Sequence, residues 1–324
     1  MNTRSFVIAA ILLASFSGTA QDAYFSNTSQ SLLRLNPSFA GSNGGVRNQL
    51  SYRYNNDRGF STIYNAADVF AKKINGGIGL SYLNDLNVGL GLVQQELSLS
   101  YAQHLNFGDG DLKVIPSLEF SYLKRSLDLQ AISFEDVIND PIYTQTVHGG
   151  YSEFPYSDGN RYARKNNFNL SSGLLVAYKH LYAGFSVHNI NQPDMGLLGA
   201  YALPARLNFH ASYNFSFSER SQLNISGRLV KQGPRSSAQV LATAILYKHL
   251  SFGLGYASAP PQAPGNSLMI TAGIRTHYVN IMVGYAGDMS NDGAKRVYGA
   301  WETSVAFTLR NKENRKLLTD LETW

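Results

Sequence analysis

The sequence predicts an all-β fold: a transmembrane, antiparallel outer-membrane β-barrel of about fourteen strands with long extracellular loops. Three observations carry it. Apolar and polar residues alternate with a period of two over stretches of strand length. Tight connections alternate with long ones along the chain. After residue 20 no apolar run reaches the roughly 20 residues that a transmembrane helix needs. A membrane chain of this kind crosses lipid only as a closed sheet, because lipid satisfies no unpaired backbone N–H or C=O.

Composition agrees. The chain has 324 residues, with 20 tyrosines, 17 phenylalanines and 29 glycines, and only 15% are charged. Aromatic residues suit pleated strands and glycine suits tight turns. The formal charge of +5 is scattered along the chain, so no nucleic-acid surface is read from it. There is no cysteine, hence no disulfide framework in an exported chain.

Residues 1–20 read as a cleaved secretory signal. Arg4 gives the positive start, Phe6 to Phe16 the apolar stretch, and Ser17-Gly18-Thr19-Ala20 the small-residue cleavage site before Gln21. Residues 21–45 are not strand-like and read as an N-terminal periplasmic or plug-like segment. The barrel proper is placed at 46–310. Residues 311–324 form a charged C-terminal periplasmic tail, with Leu317, Leu318, Leu321 and Trp324 at helical spacing; it is either a frayed end or a short docking helix.

The first barrel strand, Val46 to Asn55, sets Val46, Leu50, Tyr52 and Tyr54 against Arg47, Gln49, Ser51, Arg53 and Asn55, with Asn48 as the exception. Leu112, Val114, Pro116, Leu118, Phe120 and Tyr122 oppose Lys113, Ser117, Glu119 and Ser121. Phe168, Leu170, Leu174, Val176 and Tyr178 oppose Asn167, Asn169, Ser171, Gly173 and Lys179. Leu207, Phe209, Ala211, Tyr213 and Phe215 oppose Asn208, His210, Ser212, Asn214 and Ser216. Weaker strands are expected at 61–72, 77–84, 90–104, 181–190, 222–231, 238–247, 250–258, 267–276, 278–286 and 298–309.

With both termini periplasmic, the expected periplasmic turns lie near Lys73-Ile74-Asn75-Gly76, Phe107-Gly108-Asp109-Gly110, Lys179-His180, Ser218-Glu219, Lys248-His249 and Thr276-His277. The other connections include the long stretches 127–165, 191–204, 258–266 and 287–297. Aromatics near strand ends (Tyr122, Tyr178, Tyr182, Tyr213, Phe215, Tyr247, Tyr256, Tyr278, Tyr285) fit interfacial girdles or an ordinary β core equally. The repeat Tyr178-Lys179-His180-Leu181 and Tyr247-Lys248-His249-Leu250 reads as two equivalent hairpin turns.

No catalytic constellation, cofactor fingerprint or metal-ligand spacing is legible. His104, His148, His180, His188, His210, His249 and His277 form no paired set with carboxylates. The 127–165 loop carries Asp128, Glu135, Asp136, Asp140 and Asp158 and reads as a solvated loop before a Ca²⁺ site. Arg47, Arg53, Lys113 and Glu119 fall on the wet face, where they either line a pore or pair to fill a closed interior.

The segment after the leader reads Gln21-Asp22-Ala23-Tyr24-Phe25-Ser26, then Leu33-Arg34-Leu35-Asn36-Pro37-Ser38-Phe39-Ala40-Gly41. It resembles the start of PorP/SprF-family proteins, a Q-D-x-x-F-S element followed by L-N-P-A-Y-A-G, with Ser38 and Phe39 in place of Ala-Tyr. Ala183 to Pro193 resembles the family's G-x-S-x-x-N-x-x-x-P strand-loop junction. The resemblance marks Phe25, Leu35, Asn36, Pro37, Phe39, Ala40 and Gly41 as candidate partner-docking or plug residues. Pro37 fixes its own φ and forces Asn36 extended, and Gly41 permits a turn, which suits a segment that caps or plugs the periplasmic mouth or docks a partner, or else a plain structural turn.

The resemblance implies an outer-membrane component of the Bacteroidetes type IX secretion system, associated with gliding motility. Its implied partners are outer-membrane lipid and a large surface adhesin with a C-terminal sorting domain, periplasmic secretion components, or both. A porin or hydrophobic-substrate channel on a similar barrel is the rival, since fold does not fix function. An enzyme is not expected.

Overall fold

The structure is a computed structural model that describes residues 24–55, 59–108, 111–128, 162–197, 199–258, 266–289 and 299–310. The leader at 1–20, most of the 127–165 loop with His148, and the 311–324 tail lie outside the described residues.

The chain enters through a 3₁₀ turn at Thr28–Gln30, one helical turn at Leu32–Leu35 and a 3₁₀ turn at Pro37–Phe39. The strands follow: β1 (Gly45–Asn55), β2 (Phe60–Ala71), β3 (Gly76–Asn87), β4 (Leu92–Gln103), β5 (Leu105–Phe107), β6 (Leu112–Asp128), β7 (Tyr162–Tyr178) and β8 (Leu181–His188). They continue with β9 (Arg206–Ser218), β10 (Ser221–Gln232), β11 (Arg235–Leu246), β12 (Leu250–Ser258), β13 (Ser267–Arg275), β14 (Val279–Asp288) and β15 (Gly299–Arg310). Each strand pairs antiparallel with its neighbours, and β1 pairs with β15 from Gly45↔Arg310 to Tyr54↔Trp301, which closes the sheet. β4 and β5 both pair with β6 and count as one crossing interrupted at His104, so fourteen strands span the wall.

The alternation read from the sequence is the division between lipid and lumen. Val46, Leu50, Tyr52 and Tyr54 face outward, while Gln49, Ser51, Arg53 and Asn55 are buried inside. Asn48 breaks the pattern without leaving bare amide groups on the lipid face. Its Nδ2 donates to the Ala66 carbonyl at 3.3 Å, and neighbouring Asn65 donates to the Gln49 carbonyl at 3.3 Å. Of the end-of-strand aromatics, Tyr122, Tyr178, Tyr213, Phe215, Tyr247, Tyr256 and Tyr278 are exposed on the outside, as a girdle requires. Tyr182 points the other way and is buried in the interior.

All six expected short connections lie at one end of the barrel, here the turn end, and the long ones lie at the loop end. Several turns use left-handed backbone where side chains tolerate it: Asn75 (φ 45), Lys179 (φ 51) and Lys248 (φ 64). The strands β6 and β7 run further than the alternation alone suggested, to Asp128 and from Tyr162, so they extend the wall toward the loop end. Between β8 and β9 the chain folds inward. Met195 and Leu203 pack against Leu123, and Asp194 pairs with Ala202 in an isolated bridge.

Candidate functional site

The main apolar core lies inside the barrel and is built around the N-terminal segment. Phe25, Leu32, Leu33, Leu35, Phe39 and Ala40 pack against inward residues of β2, β3, β4, β6, β7 and β8, among them Tyr64, Leu83, Ile115, Leu175 and Tyr182. Segment and wall therefore share one core, and the lumen's largest apolar patch lies where the segment covers it.

Registers give the segment's path. Tyr24 bonds Gln239, and Ser26 and Asn27 donate their backbone N–H to Glu302 at 2.7 and 3.1 Å. Both partners lie near the loop ends of β11 and β15. Gly41 lies against Gly77 and Phe70 at the turn ends of β3 and β2, and the chain then enters β1. The segment expected to cap or plug the periplasmic mouth thus runs inside the barrel, from near the loop ends of β11 and β15 to the turn ends of β2 and β3.

Every candidate residue lies on this plug. The Phe25 ring sits 6.1 Å from that of Tyr64. The Leu35 carbonyl accepts from Ser186 Oγ at 2.7 Å and from Asn208 Nδ2 at 3.2 Å. Asn36 Oδ1 accepts from the Ser38 N–H at 2.9 Å, holding the turn that Pro37 begins. Its Nδ2 donates to the carbonyls of Leu174 and Phe185 at 3.1 and 3.3 Å and lies 3.1 Å from His210 Nε2. Phe39 packs 5.4 Å from the His210 ring, and the Ala40 carbonyl lies 2.9 Å from His104 Nε2. The Gly41 N–H donates to Asp68 Oδ2 at 2.8 Å, and Asp68 Oδ1 accepts from Arg47 Nε at 2.8 Å. Gly41 itself holds φ +67, a left-handed conformation that disfavours a side chain.

Two sequence elements about 150 residues apart meet here. Leu35 and Asn36 of the first touch Ser186, Phe185 and Gly184 of the second. The seat also needs residues that sequence reading missed. A Cβ on Gly77 would overlap the Ala40 carbonyl, one on Gly173 would overlap Asn36 Oδ1, and one on Gly79 would press on Leu33 Cδ1 at 2.8 Å. The available signal was apolar residues on the wet face: Ile115 amid Lys113, Ser117 and Glu119, and the unbroken run Leu174 to Ala177.

Of the wet-face charges, Arg47, Arg53 and Glu119 lie against charged or chargeable partners. Arg47 pairs with Asp68, Arg53 lies 3.5 Å from Glu302, Glu119 lies 3.7 Å from His188, and Arg34 of the plug pairs with Glu96 at 3.0 Å. The Tyr24 ring lies between the Arg53 and Arg228 guanidinium groups, each 5.3 Å from its centroid. His180, His249 and His277 are solvent-exposed at turns. Among the described residues no group of His, Asp or Glu is arranged to hold a metal ion.

At the loop end, Asp194 organises the inward loop. It accepts from Lys165 Nζ at 2.7 Å and from the N–H groups of Gly196 and Tyr201 at 3.0 and 2.8 Å. Lys165 first, then the two amides, hold its carboxyl well below the usual carboxylate range.

The sequence profile described as type IX secretion system membrane protein PorP/SprF matches residues 17–307. The chain belongs to the PorP/SprF family. It is an outer-membrane barrel of that secretion system, and its plug is built from the stretch that carries the resemblance. No curated protein matches it. Among solved structures it is similar to the CymD monoaromatic hydrocarbon channel, with 14% identity, TM-score 0.56, 89% of this chain and 94% of that one covered. The Ralstonia pickettii toluene transporter TbuX gives 10% identity and TM-score 0.50 over 87% and 93%. The Pseudomonas putida toluene transporter TodX gives the same identity and TM-score over 90% and 95%. At these identities the likeness is one of fold.

Proposed function

We propose that this PorP/SprF protein is a non-enzymatic component of type IX secretion that works through protein contacts at its rims. The partner is a large surface adhesin, bound through its C-terminal sorting domain in a gliding-related role, or periplasmic secretion machinery. A cleaved signal at 1–20 delivers the chain in a Bacteroidetes cell. The observation that carries this reading is the plug: the lumen is occupied by the chain's own Tyr24 to Gly41, seated on buried apolar side chains and ion pairs. A barrel filled in this way offers its ends rather than its bore.

The turn end suits a protein contact. Lys72, Lys73, Lys179, Arg220 and Lys248 are all exposed there, with Glu219 and Asp111 as the described acidic residues of the same turns. That rim favours an acidic face on a periplasmic partner.

The test is to tag the protein, solubilise native outer membranes gently, crosslink and identify what co-purifies by mass spectrometry. A very large adhesin or type IX components would support the proposal and tell the two branches apart. Recovery of the barrel alone, with steady conductance in planar bilayers, would overturn it in favour of a channel.

A further inference from the structure

The outward positions of β8 to β13 carry no carboxamide. On β1 and β2 two of them face lipid, Asn48 and Asn65, and both are half-buried at the outer surface. Asn65 lies at the middle of β2, five residues after Phe60 and six before Ala71. That depth falls in the apolar band of the barrel, away from the headgroups at either end. Asn48 lies one row nearer the turn end, since the register sets Asn48 beside Ala67 and Leu50 beside Asn65.

Each amide is tied to its own wall, yet neither is fully used there. Asn48 Nδ2 donates to the Ala66 carbonyl at 3.3 Å and to Asn65 Oδ1 at 3.5 Å, both longer than an ordinary N–H···O bond. Asn48 Oδ1 accepts from no described residue. Asn65 Nδ2 gives one hydrogen to the Gln49 carbonyl at 3.3 Å, and its other hydrogen has no described acceptor. One acceptor and one donor therefore remain on a face where lipid offers neither. Polar side chains kept at membrane depth commonly serve contacts between proteins.

An occupant must bring a donor and an acceptor to the same depth. A second copy does so by symmetry. Copies inserted in one orientation are related by a two-fold axis along the membrane normal, which keeps every residue at its own depth and exchanges left for right. With that axis between β1 and β2, Asn48 stands opposite the second copy's Ala67 and diagonal to its Asn65. The unused oxygen of one copy then meets the unused N–H of the other, and the same operation makes the converse bond. Ala67 is small, so the walls can approach closely there. Around the amides, Leu50, Ile63, Val69, Leu80 and Phe307 are exposed and supply the apolar part of the contact.

We propose that the outer face of β1 and β2 is a two-fold contact between copies of this chain within the membrane, joined by reciprocal Asn48–Asn65 hydrogen bonds. The contact belongs to the wall, and the inference does not depend on a role in secretion.

The chain has no cysteine, so single-cysteine variants of the full-length barrel crosslink at one place. Ala67→Cys reports the proposed contact. Ala211→Cys, outward on β9 and half-way round the wall from β1, is the control. In lipid vesicles a short bismaleimide is expected to convert Ala67→Cys to a covalent dimer several-fold faster than Ala211→Cys. Sedimentation of the unmodified protein in density-matched micelles is expected to show a monomer–dimer equilibrium. The Asn48→Leu, Asn65→Leu double variant should weaken that equilibrium roughly tenfold while its unfolding midpoint in urea stays at or above the parent's. Equal crosslinking at the two positions overturns the proposal, as does a parent that sediments as a monomer at every concentration. A double variant that associates like the parent but unfolds earlier overturns it too, because the asparagines then serve only their own wall. Crosslinking of Ala67→Cys in native outer membranes to a different protein alone overturns the second copy as the occupant.

Discussion

At the scale of the residue, the plug depends on what is absent as much as on what is present. Gly77 and Gly173 leave room for the Ala40 carbonyl and the Asn36 amide. Gly77→Ala is expected to destabilise the barrel by roughly 1–3 kcal/mol, the usual cost of overpacking a filled site. A lowered unfolding midpoint in urea would register it, with Gly199→Ala, where a Cβ meets nothing within 4 Å, as the control. Asp68 joins the plug to the wall through both oxygens. Asp68→Ala leaves Arg47 in the lumen without its carboxylate, so a loss of about 3–5 kcal/mol is expected in the same assay. Asp194 has a depressed carboxyl, so its contribution to ordering the inward loop is present above the ordinary Asp value and disappears only as pH falls through its lower folded value. Protease cutting between 189 and 205 should stay suppressed at pH 4, and Asp194→Asn should release it already at pH 7.

At the scale of the element, each strand is a partition between two solvents, and that is why strands were legible. Phe120 is 63% exposed on the outside of β6, whereas Ser121 next to it bonds Ser98 inside. Phe120→Arg is therefore expected to cost roughly 2–4 kcal/mol in lipid bilayers, the penalty for a cation near the midplane. Folding titrations into vesicles would measure it, and a cost near zero would mean that this face does not meet lipid. The alternation was least informative where the inner face is itself apolar. Ile115, Leu175, Ala177 and Tyr182 look like errors of phase in isolated strands, because the polarity of an inward position depends on what lies opposite it in the lumen. The interruption at His104 has a similar origin. Its backbone N–H bonds the Asn75 carbonyl and its ring reaches Ala40, so the strand breaks where it meets the plug.

At the scale of the whole molecule, plug and wall are one cooperative unit. Deleting 24–41 removes six of the fourteen side chains of the main core and separates Glu96, Glu302 and Asp68 from plug partners. The shortened chain is expected to unfold at a clearly lower temperature on gel-shift assays and to conduct steadily in bilayers. Unchanged stability together with silence would show that the segment is not what closes the lumen. Reversing the rim with Lys72→Glu, Lys73→Glu, Lys179→Glu and Lys248→Glu should leave the barrel folded and reduce capture of periplasmic secretion components. Equal capture would remove charge from the docking proposal.

The period of two, the alternation of tight and long connections and the Leu33 to Gly41 element were sufficient for barrel, strand number and family, because those are properties of neighbouring residues along the chain. Asn36-Pro37 and Gly41 were visible as a turn, and Gly184, Ser186 and Asn189 as a second element. That the two elements touch, that the turn lies within the lumen, and that Gly77, Gly173, Asp68 and Glu302 hold it there were decided by tertiary structure alone. Those contacts join residues that are distant in sequence, and they exist only once β1 and β15 close the wall around the plug.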